Sequence, residues 1–321
     1  MLSLGAGVAL VALHAVWYLL AAGMSAAVLP PAGEVLAGQA PYSFAVIGDS
    51  RGNTAVFERV LAGVRADGAD LILHGGDLVR WYTRYDFEWV LHELHEEGLT
   101  VPFCAVPGNH DIDEEATDEA VRYRHYSRAF GPRQYWFSYA NALFVAFDDA
   151  AEAASPADIE WLDRTLGMYR DRYPLCFVFF HVPLRDPRHA GGHALQAGAE
   201  GLGAVLSKHR VNAVFASHVH GYLEDTVNGI PCYITGGGGA ELDDPEAGYH
   251  YLICSVALDG SFQVKKRNVE AVPDEDYLEY IFRVRFPADV SLFLGTGLAL
   301  TGIALSLGRR ARRRAGGRPP S

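Results

Sequence analysis

Apolar positions along residues 42–268 follow two periods in turn. Short apolar runs at 42–47, 70–73, 101–106, 143–147, 175–180 and 211–215 are separated by stretches with apolar residues three or four apart, at 54–66, 87–97, 156–169 and 195–209. The first pattern predicts strands and the second helices, and their alternation predicts an α/β sheet. The run 175–180 has no polar position, as expected of a strand covered on both faces. Residues 135–139 and 143–147 predict a hairpin around Ala140-Asn141. Beyond residue 220, short strands at 222–227, 231–235, 249–257 and 262–266 are separated by Gly-rich turns, so the second half is richer in antiparallel pairing. There is no internal repeat and no heptad pattern.

The two ends differ from this body. Residues 2–29 contain no Asp, Glu, Lys or Arg, with His14 the one titratable side chain. That length exceeds the ~20 residues needed to cross a bilayer. Residues 1–30 therefore read as a transmembrane anchor; the small residues Ser25, Ala26 and Ala27 leave a cleaved signal segment as the alternative, though no basic residues precede the apolar run. Residues 290–308 form a second uncharged run, followed at once by RRARRR. By the positive-inside rule the tail, 309–321, is cytoplasmic, and residues between the spans lie on the other side. Residues 31–41 read as a Gly/Ala/Pro-rich linker, 42–270 as the working domain, and 271–289 as a juxtamembrane connector.

The formal net charge is −12, from 27 basic and 39 acidic residues among 321. Six arginines lie in the tail, so residues 1–308 carry 21 basic against 39 acidic residues, or −18. A body that acidic repels a phosphate backbone and argues against a nucleic-acid partner. The four cysteines, Cys104, Cys176, Cys232 and Cys254, could form disulfides in an extracytoplasmic domain or be buried thiols. None forms a CxxC pair, which argues against a thiolate zinc site.

Polar residues able to bind metal follow the strand-like runs at five places. Asp49 follows SFAVIG, Asp77 follows LILHGG, Asn109, His110 and Asp111 follow FCAVPG, His181 follows FVFF, and His218 and His220 follow VNAVFAS. Loops at the carboxyl ends of strands in an open α/β sheet converge on one crevice. Carboxylates, an amide oxygen and imidazoles suit ions such as Mn, Fe or Zn. Two such ions can hold both the attacking and leaving oxygens of a phosphoryl displacement.

The motifs GDSRG, GGDLVR, GNHD, FFHVP and SHVHGY, in this order over residues 42–268, resemble those of the calcineurin-like metallophosphoesterase superfamily. The blocks FGPRQYWFSYANALFVAFDD, WLDRTL and YITGGGGAEL are most similar to its purple-acid-phosphatase-like branch. The resemblance implies two mixed β-sheets sandwiched between helices, here with N- and C-terminal transmembrane helices. It implies two divalent or mixed di/trivalent metal ions (Mn, Fe or Zn). Asp77 would bridge them, Asn109, His181 and His218 would complete one site, and Asp49 and His220 would serve the other. A water bridging the metals, deprotonated at neutral pH, would be the nucleophile. His110 would act as general acid or orient the phosphate, with Asp111 holding its second ring nitrogen, and Arg80 would support the site without ligating.

Three positions depart from the family pattern. Arg51 stands where the DxH form of the first motif has a ligating His, and a permanently protonated arginine cannot ligate. It either reaches a substrate phosphate or forms a salt bridge to a nearby carboxylate. Arg80 stands where a purple acid phosphatase has its Tyr, so iron-tyrosinate colour is not expected. Ser217 replaces a Gly before HxH, a change of little expected consequence. Away from these motifs, His92 and His95 with Glu93, Glu96 and Glu97 read as a solvated acidic helix face. His74 reads as a packed neighbour of the site, His189 and His193 as parts of an exposed loop, and Gly236–Gly239 as a tight turn at its rim.

The sequence thus predicts a membrane-anchored, extracytoplasmic phosphoesterase acting on a phosphorylated small molecule or lipid-linked substrate. The alternatives are a phosphodiesterase or pyrophosphohydrolase on lipid-linked or nucleotide substrates, and a degenerate metal- or phosphate-binding module without catalysis. Protease added outside intact cells or spheroplasts is expected to cut the domain; protection of the domain while an external control is cut would reverse the topology.

Overall fold

The computed structural model describes residues 33–188 and 192–272, together with helical positions at 12, 296–301, 303 and 304. The chain divides into two compact units, 1–24 with 275–321, and 25–274. Among the described residues no helix is long and apolar enough to cross a membrane. Apart from the few helical positions just named, the expected spans at 1–30 and 290–308 lie outside the described residues, as does the tail.

The 25–274 unit is built on two mixed sheets. The larger has seven strands in the order β1 (Val35–Leu36), β5 (Tyr135–Tyr139), β6 (Ala142–Ala146), β7 (Leu175–Phe179), β8 (Ala213–Ala216), β10 (Ile230–Thr235) and β9 (Tyr222–Val227). The smaller has the order β12 (Phe262–Asn268), β11 (His250–Val256), β2 (Tyr42–Ile47), β3 (Leu71–His74) and β4 (Phe103–Ala105). Parallel pairing runs through β6, β7, β8 and β10 in one sheet and β2, β3 and β4 in the other. Antiparallel strands β5, β9, β11 and β12 complete them.

Side chains alternate across each strand, and the two periods of burial explain the apolar runs. Phe44 and Val46 of β2, Phe144 of β6, Phe177 and Phe179 of β7 and Phe215 of β8 point into one cluster shared by both sheets. The intervening Leu143, Val145, Cys176, Val178 and Phe180 face the other way. There they meet Leu162 and Leu166 of helix α5 (Pro156–Tyr169) and Leu202 and Leu206 of α6 (Ala199–Lys208). Helix α1 (Thr54–Ala66) buries Val56, Val60 and Val64 at i, i+4 and i+8. It lies over the smaller sheet, with Phe57 edge-on to His74 of β3. Helix α2 (Arg84–Glu96) buries Phe87, Leu91 and Leu94.

Several expectations change. The stretch 31–41 is not all linker, because Val35–Leu36 pairs with β5. The helix expected from 195 starts at Ala199, after Gly198 in a left-handed conformation (φ +84°). Two short helices, α3 (Glu119–Arg122) and α4 (Arg124–Phe130), were not predicted. The face of α2 is not wholly solvated, because Glu93 is buried. All four cysteines are buried free thiols.

His250 gives this fold a pH dependence. Its ring is fully buried, Nδ1–H donates to the Gly248 carbonyl at 2.8 Å, and Nε2 is buried without a hydrogen-bond partner. Burial holds its pKa down to about 4, against about 6.5 for an unfolded histidine. The unfolded chain therefore takes up this proton first as pH falls, and stability declines from pH 6.5 toward pH 4. The decline due to His250 is roughly 3 kcal/mol. Urea titrations over that range are expected to lose one proton's worth of slope in His250→Asn, whose amide can still donate to Gly248.

Candidate metal centre

The parallel strands place the expected ligands where they meet. Asp49 follows β2, Asp77 follows β3, Asn109 and His110 follow β4, His181 follows β7, and His218 and His220 follow β8. Each chain bends sharply as it leaves its strand. Asp49 (φ +54°), Asp77 (φ +57°) and His218 (φ +67°) all adopt left-handed backbone, a conformation that costs most side chains energy and that Asp, Asn and His tolerate best. Gly76 (φ +93°) lies so close to the next loop that a Cβ there would stand 2.6 Å from the Gly108 nitrogen and 2.8 Å from His181 Nδ1.

Two sets of donor atoms result, sharing Asp77. In the first, His181 Nε2 lies 3.0 Å from Asn109 Oδ1, 3.1 Å from His218 Nδ1 and 3.4 Å from Asp77 Oδ1. The Asn109 oxygen is also 3.2 Å from His218 Nδ1. His181 Nδ1–H donates to the Gly75 carbonyl at 2.8 Å, which aims Nε2 at the centre. In the second set, ligand atoms of Asp49, Asp77 and His220 lie within 4.8 Å of one another. His220 Nδ1–H donates to the Glu241 carbonyl at 2.7 Å, and Nε2 faces Asp49 Oδ1 at 3.5 Å. Asp49 Oδ1 is buried without a hydrogen-bond partner. A buried, unpartnered carboxylate oxygen beside an imidazole nitrogen, and a second cluster of crowded N and O atoms, fit cations at both places.

The electrostatics agree. Burial opposes a charge on His181, but Asp77, Asp49 and Asp149 outweigh it and raise its pKa. Burial likewise opposes charge on Asp77, yet His181, His110 and Arg51 hold it down to about 2. His218 is pushed to about 3, first by burial and then by His181, which leaves its ring neutral and able to ligate. The shifts of His181 and Asp77 describe a pocket that attracts positive charge.

Around the donors, some expected roles hold in placement and others change. His110 borders the cleft, with Nδ1 3.3 Å from the Arg80 carbonyl. Asp111 does not hold that ring, contrary to expectation. Its carboxylate turns inward and accepts from the main-chain N–H groups of Gly108, Leu78 and Val79 at 2.9–3.1 Å. Asn109–Asp111 forms one 3-10 turn, in which successive side chains point about 120° apart. Asp111 is a loop clamp rather than a catalytic partner. Arg51 takes the second of its two alternatives, with Nε 2.8 Å from Asp77 Oδ2. The Arg80 guanidinium stacks on Trp81, so Arg80 supports the site through its carbonyl. His74 is buried and 3.0 Å from Ser50 Oγ, as expected of a packed neighbour. Ser217 matters more than expected, since its buried side chain fills the space beside Gly48 and Gly75 and leaves no room for a Cβ at either. His189 lies outside the described residues, while exposed His193 borders the cleft with its ring 5.3 Å from that of His218.

Asp149 was not singled out from sequence. Its carboxylate accepts from the main-chain N–H of His181 at 2.8 Å and of Val182 at 3.0 Å, and burial pushes its pKa up to about 8. The pair of acids directly after the apolar run LFVAF, Asp148 and Asp149, was the available signal. The donors open into a cleft of about 660 Å³, whose outer wall includes Glu152, His193 and Gln196. That volume suits a small organic phosphate.

The calcineurin-like phosphoesterase family model matches residues 42–222. A probable glycerophosphodiester phosphodiesterase of Arcobacter nitrofigilis is 27% identical over 168 residues, 47% of this chain and 56% of that protein. Purple acid phosphatase 21 of Arabidopsis thaliana is 29% identical over 196 residues, 57% of this chain and 44% of that protein. The chain thus spans about half the length of these curated relatives. In fold, the purple acid phosphatase PPD1 of yellow lupin superposes with a TM-score of 0.60 at 17% identity, over 72% of this chain and 52% of the lupin chain. A dimetal phosphatase of Danio rerio superposes with a TM-score of 0.54 at 16% identity, over 72% of this chain and 98% of the other.

The clamp role of Asp111 separates two variants. Asp111→Ala strands three buried N–H groups and is expected to cost about 2–5 kcal/mol in denaturant unfolding. His110→Ala, at the cleft edge, should change stability by about 0.5 kcal/mol or less. Equal effects of the two on stability would refute the clamp.

Proposed function

Because the chain belongs to the calcineurin-like phosphoesterase family, we propose that it hydrolyses phosphate esters of small molecules with metal held by Asp49, Asp77, Asn109, His181, His218 and His220. The family implies a dinuclear metal centre, and the N/O donor set suits Mn, Fe or Zn. The observation that carries the reading is the convergence of two donor sets on one shared buried carboxylate, Asp77, with Asn109, His218 and His220 of those sets lining an open cleft. Bound ions would supply the charge that activates a water and neutralises the phosphate.

The chain's own residues do the rest. His181 and His220 are locked by Nδ1–H bonds to Gly75 and Glu241, so their Nε2 atoms need no reorientation. The contact of His110 Nδ1 with Arg80 leaves Nε2 as the atom that can carry a proton to a leaving oxygen. Glu152 and Gln196 on the outer wall can meet the organic part of the ester. A diester reading has one specific support, the likeness to a protein named as a probable glycerophosphodiester phosphodiesterase. Lipid-linked substrates fit the same reading if the uncharged runs 2–29 and 290–308 anchor the domain to a membrane with its cleft extracytoplasmic. The run RRARRR after residue 308 supports that orientation.

Full-length protein purified in detergent is expected to hydrolyse an aryl phosphate monoester or the matching diester when Mn, Fe or Zn is supplied. Asn109→Ala and His220→Ala should each weaken metal binding and lower turnover roughly 10–100-fold or more. His110→Ala should lower kcat about 10²–10⁴-fold with metal content unchanged. Folded protein without turnover under any of these metals would leave the non-catalytic binding module as the function.

A further inference from the structure

The guanidinium of Arg51 stands among the donors of the second set. Its Nε is 2.8 Å from Asp77 Oδ2, and its Nη2 is 3.4 Å from His220 Nε2. Those residues, with Asp49, are the ones that would hold the second ion. With Nδ1–H of His220 committed to the Glu241 carbonyl, Nε2 is the ring nitrogen turned toward the centre, and the Arg51 guanidinium stands against it. Asp77 is 1% exposed and Arg51 20%, so the ion pair is buried on the carboxylate side and meets the cleft on the other. Arginine stays charged at any working pH and cannot become a ligand. An ion entering here must draw Asp77 and His220 away from the guanidinium and then share the pocket with its positive charge.

The first set differs in kind. Asn109, His181 and His218 contact one another, and His181 Nε2 faces Asp77 Oδ1, the carboxylate oxygen opposite the one that Arg51 holds. We propose that Arg51 is a built-in occupant of the second metal position, so that the centre fills in two unequal steps. One ion binds tightly at Asp77, Asn109, His181 and His218. The second binds at Asp49, Asp77 and His220 only when Arg51 turns outward into the cleft that it already borders. This rests on the metal-dependent reading above, but concerns the order and strength of loading rather than turnover.

The test is Mn titration of the metal-stripped full chain by calorimetry, with metal content per chain measured after gel filtration and electron paramagnetic resonance at one and two equivalents. The wild type is expected to retain one ion, to show the spectrum of isolated Mn at one equivalent, and to take a second ion far more weakly. Arg51→Gln, neutral and of similar length, should tighten the second ion roughly 10–100-fold. Arg51→His should do at least as much and give the spectrum of a coupled Mn pair. Thermal melts of all three metal-free proteins check that each is folded. Two ions of equal affinity in the wild type would overturn the proposal, and so would tightening by Arg51→His without tightening by Arg51→Gln, which would make a missing ligand the cause. Absence of any bound ion in all three folded proteins would instead overturn the metal-dependent function itself.

Discussion

Buried carboxylates that accept main-chain N–H groups from neighbouring loops hold this site together. Asp49 accepts from His218 at 2.9 Å, Asp77 from His110 at 3.0 Å, Asp111 from Gly108, Leu78 and Val79, and Asp149 from His181 and Val182. All of these bonds but that from Gly108, which stays within its own loop, run from one strand end to another. Hydrogen bonds to ionised groups are among the strongest available and offset the cost of burying the charge. The sheets bring the strand ends together, and these acids set the distances between them. Ligand geometry is thereby tied to the fold and does not depend on flexible side chains alone.

The four acids divide the work. Asp49 fixes a loop with Oδ2 and leaves Oδ1 toward the centre, whereas Asp77 uses Oδ1 both to fix a loop and to face His181, with Oδ2 held by Arg51. Asp111 and Asp149 spend both oxygens on main-chain groups. Burial alone would favour the neutral form of each, and it moves Asp111 up to about 7 and Asp149 to about 8. Asp77, surrounded by His181, His110 and Arg51, moves the other way. One residue type thus serves as scaffold or as ligand according to what faces it.

Much of this was legible in the sequence, because apolar runs long enough to be buried on both faces end in polar residues of one chemical class. The runs at β2, β3, β4, β7 and β8 marked three strands of the smaller sheet, two of the larger and all six proposed ligands. What was not legible turns on direction and length. Adjacent residues in a 3-10 turn diverge, so His110 and Asp111 sit side by side in sequence and face different ways. Helices α3 and α4, of four and seven residues, are too short and too charged to show a period. The partner of Arg51 depends on where the loop after β2 meets the loop after β3, which no local pattern records.

The left-handed backbone at Asp49, Asp77 and His218 bears on how this chain can change over time. Valine, isoleucine and threonine are excluded there by their branched Cβ, whatever happens to the chemistry. A descendant freed from binding metal would still find most substitutions at these three positions closed, and would drift first at neighbours such as His220, which is absent from the strained set. Shape and reactivity therefore impose overlapping demands on the same loops, and the shape demand would outlast the other.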